Sequence, residues 1–125
     1  MNILHLDDDT IVHKLMSTLL RRFGQQNEEA IEITTFIDTV QGLFEILNHG
    51  HKYDLILLDV NMPGLTGGDI YQQIARSCPH LLERVLFVTS YRGELDHRFP
   101  NQQLNVLEKP LRYTHLEKRI QSMVC

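Results

Sequence analysis

The 125-residue chain carries 42% hydrophobic and 22% charged residues, which is the size and composition of one globular domain with its own core. Twelve basic against sixteen acidic side chains give a net charge of −4, which argues against a nucleic-acid-binding surface. No apolar stretch is long enough to span a bilayer, and residues 1–7 lack the basic start and long apolar run of a signal peptide. We therefore expect a cytoplasmic protein that does not insert into a membrane.

The first part of the chain predicts two strand–helix units. Residues 2–6 are typical of a short strand. The helix after it is expected to begin at a Thr10 cap and to end at Gly24, because apolar residues recur between them at helical spacing. Residues 31–36 alternate and are rich in β-branched side chains, which favours a second strand near an edge of the sheet. Asp38 is expected to cap the second helix.

The middle of the chain contains its most distinctive segment. Residues 55–58 form an unbroken apolar run that ends in Asp59, as in a central parallel strand covered on both faces. Pro63 and the glycines around it predict a loop before the next helix. The remaining elements are expected to be a helix from about Gly68 to Ser77, a strand over residues 84–90, a short and weak helix between Arg92 and Phe99, a strand over residues 105–108, and a last helix from about Tyr113 to Met123.

Five strands that alternate with five helices predict an α/β domain with a parallel sheet and helices on both faces. With right-handed crossovers, the favoured topology is the flavodoxin-like doubly wound (βα)5 order 2-1-3-4-5. This order places the first and third strands side by side at the switch point, where such sheets bind ligands. Asp7, Asp8 and Asp59 are then expected to share one edge of the sheet.

The acids at this edge predict a cation site. Carboxylates that crowd together repel each other, and either proton uptake or a bound cation relieves the repulsion. Mg²⁺ prefers one or two carboxylates and accepts phosphate oxygens as further ligands. Thr89 at the end of the fourth strand and Lys109 at the end of the fifth add a hydroxyl and an ammonium group to the same crevice.

Over its whole length the chain resembles the receiver domains of two-component response regulators. The motifs that carry the resemblance are Asp7-Asp8 after the first strand, Asp59 followed by Met62-Pro63 and Gly67, Thr89 after the fourth strand, and Lys109-Pro110 after the fifth. The resemblance implies that Asp59 accepts a phosphoryl group from the phosphohistidine of a sensor histidine kinase or a histidine phosphotransfer protein. It also implies that Thr89 and Lys109 each bond a phosphoryl oxygen, and that the Lys109-Pro110 peptide is cis.

The resemblance further implies Mg²⁺ as the cofactor. Asp8 would bind the ion directly and Asp7 through a water molecule, while Asp59 and the backbone carbonyl of Asn61 would complete the protein ligands. The domain would assist its own phosphorylation and dephosphorylation without being a turnover enzyme.

Two positions depart from the usual receiver pattern. Val106 stands three residues before Lys109, where receivers usually carry Tyr or Phe as a switch, and valine has no large rotamer change to report. Tyr91 is the nearest substitute, and its bulk next to the acyl phosphate predicts slow self-dephosphorylation. The segment between Thr89 and Lys109 is short for the family, so we expect the fourth helix to be abbreviated or mobile.

Neither the histidines nor the cysteines predict a separate metal site. The His49–His51 loop lacks a third ligand. His5 is expected to be a hydrogen-bonded core residue, and His13 carries no functional signature. Cys78 and Cys125 are too few for a four-cysteine site, and Cys125 is expected to be a free thiol in a reducing compartment.

Three other interpretations remain open. Residues 1–125 contain a receiver with no output domain, which fits a diffusible regulator or a phosphorelay intermediate, and equally a receiver fragment of a larger multidomain regulator. A Mg²⁺-dependent phosphohydrolase with an aspartyl-phosphate intermediate would need a general acid at Asn61, which an amide cannot supply. A flavin-binding module would need a phosphate-cradling loop after the first strand, where this chain is acidic.

Overall fold

The computed structural model describes residues 1–124, so the expectation for Cys125 lies outside the described residues. The strands are β1 (Asn2–Leu6), β2 (Glu32–Phe36), β3 (Leu55–Asp59), β4 (Val85–Thr89) and β5 (Asn105–Glu108). The helices are α1 (Thr10–Gln26), α2 (Thr39–His49), α3 (Gly67–Ser77), α4 (Gly93–Arg98) and α5 (Tyr113–Val124). Two short 3-10 helices, Gly50–Lys52 and Pro79–Arg84, were not predicted from the sequence.

The five strands form one parallel sheet in the order β2-β1-β3-β4-β5, which confirms the predicted doubly wound topology. The register aligns the carboxyl ends of the three inner strands, β1, β3 and β4, and of the edge strand β5. Leu6 lies opposite Leu58, Asp59 opposite Val88, and Thr89 opposite Glu108. Residues that follow these strands therefore emerge at one edge of the sheet.

The sheet is covered on both faces by separate apolar clusters. Leu58 and Ile56 of β3 pack with α2 and α3, whereas Leu55 and Leu57 pack with α1 and α5. Every residue of β3 is buried, which confirms the expectation for a central strand covered on both faces. β2 lies at the edge of the sheet and is largely exposed, as its alternating sequence predicted.

The predicted bounds of α1 were wrong at both ends. The N-cap is Asp9 rather than Thr10, and its carboxylate accepts a hydrogen bond from the backbone N–H of Ile11 at 2.9 Å. The helix also continues through Gly24 to Gln26. A Cβ at position 24 would lie 2.7 Å from the carbonyl oxygen of Glu29, so this glycine permits close packing and does not end the helix.

The other helix starts follow capping chemistry. Asp38 caps α2 as predicted, and its carboxylate accepts a hydrogen bond from the backbone N–H of Gln41. Thr66 and Asp69 form a capping box at the start of α3. The helix α4 has only six residues, which confirms that it is abbreviated. Within residues 1–124, no helix combines the length and the apolar character needed to cross a membrane.

Candidate phosphoacceptor and metal site

Three carboxylates meet at the carboxyl edge of the sheet. Asp59 ends β3, and Asp7 and Asp8 follow β1, its neighbour in the sheet. One oxygen of each side chain lies within 4.8 Å of the other two. The structure thus brings together the acids that the topology predicted, and their side chains differ in accessibility. Asp7 is fully buried and Asp59 retains 4% exposure, whereas Asp8 is exposed.

This environment raises the pKa values of the two buried acids. Burial, together with the charge of Asp7, raises the pKa of Asp59 to about 6, although Lys109 and the backbone N–H of Asn61 oppose the rise. Burial likewise raises the pKa of Asp7. Negative charge is therefore destabilised here unless a proton or a cation compensates it.

Lys109 supplies the counter-charge that the acids lack. Its Nζ lies 3.5 Å from Oδ1 of Asp59, and its side chain is 29% exposed. The backbone N–H of Lys109 donates to the carbonyl oxygen of Thr89 at 2.8 Å, which ties the end of β5 to that of β4. The Lys109-Pro110 peptide is cis, as the resemblance implied.

Thr89 ends β4 and is fully buried. Its Oγ1 accepts a hydrogen bond from the backbone N–H of Tyr91 at 3.1 Å and donates to the Tyr91 carbonyl oxygen at 3.2 Å. The hydroxyl therefore closes a local turn next to the acids. The Tyr91 side chain is 64% exposed and covers Gly93, where a Cβ would collide with the ring. Its predicted roles in switching and in shielding an acyl phosphate stay predictions.

The loop between β3 and α3 passes close beneath the acids. Asn61 lies in this loop, and its backbone opposes the rise in the pKa of the Asp59 carboxyl group. Gly67 starts α3, and its N–H donates to the carbonyl oxygen of Val60 at 3.1 Å. A Cβ at Gly67 would lie 2.5 Å from the carbonyl oxygen of Asp59, so only glycine lets the helix begin this near the strand end.

The donor set fits a hard divalent cation. Three carboxylates offer oxygen ligands of the kind that Mg²⁺ prefers. One of these oxygens, Oδ2 of Asp7, is buried and has no hydrogen-bond partner, and an ion or a water molecule at the site would satisfy it. Among the described residues, this trio is the one group of three or more metal-binding side chains close enough to share an ion. Consistent with this, His49 of the 49–51 loop instead pairs with Glu45 at 2.9 Å.

Two histidines next to the acids were misjudged or overlooked in the sequence. His5 is only 1% exposed, and neither ring nitrogen has a hydrogen-bond partner, so the expectation of a hydrogen-bonded core histidine was wrong. Its pKa falls to about 3 because burial, the nearby His13 and Lys109 all disfavour the charged ring. His13 is also buried, with Nε2 2.6 Å from the carbonyl oxygen of Asp7. Both histidines lie close in sequence to the acidic run at residues 7–9, and this proximity is the signal that could have placed them at the site.

Comparison with known proteins gives a consistent family assignment. A family model described as the response regulator receiver domain matches residues 3–121. The chain is 30% identical over 129 residues to a 3′,5′-cyclic-nucleotide phosphodiesterase, regA, of Dictyostelium discoideum, and 25% identical over 124 residues to the transcriptional regulatory protein YxdJ of Bacillus subtilis. Both alignments cover 98% of this chain but only 15% and 49% of the relatives, respectively.

Solved structures share the fold. A response regulator receiver domain protein from Clostridium thermocellum superposes with a TM-score of 0.81 at 22% identity, covering 98% of this chain and 93% of that one. The receiver domain of a sensor histidine kinase from Pseudomonas aeruginosa, solved with a magnesium ion coordinated in its active-site cleft, gives a TM-score of 0.79 at 20% identity. That alignment covers 98% of this chain and 96% of the other.

Proposed function

The chain belongs to the family of response regulator receiver domains, and from this premise we propose that Asp59 is its phosphoacceptor. The phosphoryl donor would be the phosphohistidine of a sensor histidine kinase or of a histidine phosphotransfer protein. The observation that carries the proposal is the convergence of charges at one sheet edge, where Asp59 lies among acids and 3.5 Å from the Lys109 ammonium group. Residues 1–125 would then act as one signalling domain whose phosphorylation changes a surface that a partner protein reads.

The transfer forms one bond and breaks one. A carboxylate oxygen of Asp59 bonds to phosphorus while the bond from phosphorus to the donor's imidazole nitrogen breaks, and the nitrogen leaves with the electron pair. Lys109 neutralises charge on a phosphoryl oxygen from its position beside Asp59. To bond another phosphoryl oxygen, Thr89 Oγ1 has to redirect the single hydrogen that it donates to the Tyr91 carbonyl oxygen, so phosphorylation is coupled to the loop after β4.

Mg²⁺ is the proposed cofactor, with Asp8 as a direct ligand, Asp7 acting through water, and Asp59 and the Asn61 carbonyl as the remaining protein ligands. When bound, the ion screens the repulsion between the carboxylate and the incoming phosphoryl group. The fit rests on the three clustered carboxylates, and it agrees with the pKa values of Asp7 and Asp59, which burial raises and which a bound cation would lower again.

Substitution of the phosphoacceptor tests the proposal. Asp59→Asn is expected to abolish covalent labelling by radiolabelled acetyl phosphate in the presence of Mg²⁺, because an amide oxygen is not a competent nucleophile. Asp96→Asn, which changes an exposed acid on α4, serves as the matched control and should be labelled like the unmodified protein. Persistent labelling of the Asp59→Asn protein would contradict the assignment.

Receiver domains are generally signalling modules, and the residues of the site support a signalling role better than catalytic turnover of a phosphate ester. A phosphohydrolase of the aspartyl-phosphate type needs a second acid two residues after the nucleophile, and this position is Asn61. We expect no sustained hydrolysis of p-nitrophenyl phosphate. A rate proportional to enzyme over many turnovers would favour the hydrolase instead.

A further inference from the structure

The buried polar atoms that lack a partner are concentrated in one place. Within residues 1–124, the fully buried side-chain nitrogen and oxygen atoms without a hydrogen bond belong to His5, Asp7 and His13. Leaving a buried polar group unpaired costs about 1–3 kcal/mol of folding free energy, so a cluster of such groups requires a structural or functional explanation. The two histidine rings pack against each other in a tilted arrangement, with 4.4 Å between their centroids and 57° between their planes.

His13 reaches back from α1 to the end of β1. Its Nε2 lies 2.6 Å from the carbonyl oxygen of Asp7. A carbonyl oxygen can only accept a hydrogen bond, so Nε2 carries the hydrogen and donates it. The other ring nitrogen, Nδ1, is the buried atom without a partner. His5 packs against this ring in a tilted arrangement and is itself buried, which restricts the orientation of the His13 ring.

With this bond, all but one of the polar atoms of Asp7 are committed. Its backbone N–H donates to the carbonyl oxygen of Phe36 on β2 at 3.1 Å. Its Oδ1 accepts from the backbone N–H of Asp9 at 2.9 Å. Its carbonyl oxygen accepts from His13. Only Oδ2 remains unpartnered.

We propose that His13, braced by His5, is a positioning residue that fixes the Asp7–Asp8 peptide for binding of a divalent cation. The carbonyl that His13 holds belongs to the peptide group joining the two acids, so its orientation sets the direction in which Asp8 leaves the strand. With this carbonyl oxygen engaged by His13, the remaining polar atom of Asp7 without a hydrogen-bond partner is Oδ2. This inference rests on the proposed function, in which these acids bind Mg²⁺.

Two variants separate the donor from the bulk of the ring. His13→Met fills similar volume without an N–H, and we expect it to weaken Mg²⁺ binding on the order of 10-fold, as loss of outer-shell partners of metal ligands does. His13→Gln carries an amide N–H that reaches the Nε2 position, and it is expected to restore most of the affinity. His115→Met, at an exposed site on α5, is the control and should bind like the unmodified protein.

The readout is Mg²⁺ affinity by isothermal titration calorimetry without phosphodonor, with far-UV circular dichroism confirming that each variant is folded. Equal affinity in the Met and Gln variants and the unmodified protein would overturn the inference. Lack of Mg²⁺ binding by the unmodified protein would instead overturn the proposed function. Should His13→Met fail to fold, long-range ¹H–¹⁵N spectra of the unmodified protein decide the matter: a His13 ring with hydrogen on Nε2 is expected, and a bare Nε2 refutes the tether.

Discussion

The pKa of one carboxyl group, that of Asp59, makes the stability of the domain depend on pH. The folded value is raised from 3.8 to about 6, chiefly by burial. Between these values the folded chain binds more protons than the unfolded chain, so this group lowers stability as pH rises from about 4 to about 6. Above that window the penalty is fully present, and below it the penalty disappears.

Removal of this charge is therefore expected to stabilise the metal-free protein at neutral pH. Asp59→Asn should raise the free energy of unfolding at pH 7 by about 1–3 kcal/mol, since one pKa unit corresponds to about 1.4 kcal/mol. Lys109, left without its partner, is 29% exposed and can be hydrated. Urea unfolding in EDTA at pH 7 and pH 4 measures the effect, with Asp96→Asn as control. A gain of the same size at both pH values would show that Asp59 is not the group responsible.

At the scale of elements, the polar contacts that attach the short helix α4 to α3 come from one side chain, Arg98. Arg98 donates to Asp69 Oδ1 and to Gln72 Oε1, both at 2.8 Å, and to Thr66 Oγ1 at 3.3 Å. Two of these partners, Thr66 and Asp69, form the capping box of α3. A helix of six residues is too short to be stable on its own, so these contacts and the buried side chain of Leu95 hold it in place.

Arg98→Ala is accordingly expected to loosen α4 while the rest of the fold stays intact. Amide hydrogen exchange should become faster for residues 93–98, with protection of β3 and β4 unchanged, because local opening does not require global unfolding. Arg92→Ala is the matched control, since Arg92, the N-cap residue of α4, forms an ion pair with Asp96 of the same helix at 3.5 Å. Uniformly faster exchange across the sheet would contradict an attachment local to α4.

The elements also show where sequence reasoning succeeds. The apolar run before Asp59 identifies a central strand because apolar residues occupy both faces of it, so neither face suits contact with water. The parallel topology then places the acids together. The contact of Arg98 with Asp69 joins positions 29 residues apart and follows from tertiary packing alone. The His13 tether spans six residues but depends on an N-cap at Asp9, which the sequence pattern places one residue too late, at Thr10.

On the scale of the whole molecule, the site joins parts of the fold that pack on opposite faces. Asp7 and Asp8 follow β1, and Asp59 ends β3; the side chains of these two strands contribute to both apolar clusters, and Lys109 follows the edge strand β5. The carboxylates at the ends of β1 and β3 repel each other, which opposes the packing of the strands that the apolar clusters favour. A cation bound there relieves repulsion between strands that are distant in sequence, so it stabilises the folded domain as a unit.

Removal of Mg²⁺ is therefore expected to lower the thermal unfolding midpoint of the entire domain in one cooperative transition. At a concentration 100 times the dissociation constant, the ion should add about 2.7 kcal/mol to the free energy of unfolding, because it binds the folded chain alone. Asp8→Asn, which removes the exposed member of the cluster, should abolish most of this gain. Differential scanning calorimetry with Mg²⁺ or with NaCl at equal ionic strength separates specific binding from screening of surface charge. An equal rise of the midpoint in NaCl would show that no ion is held by the three carboxylates.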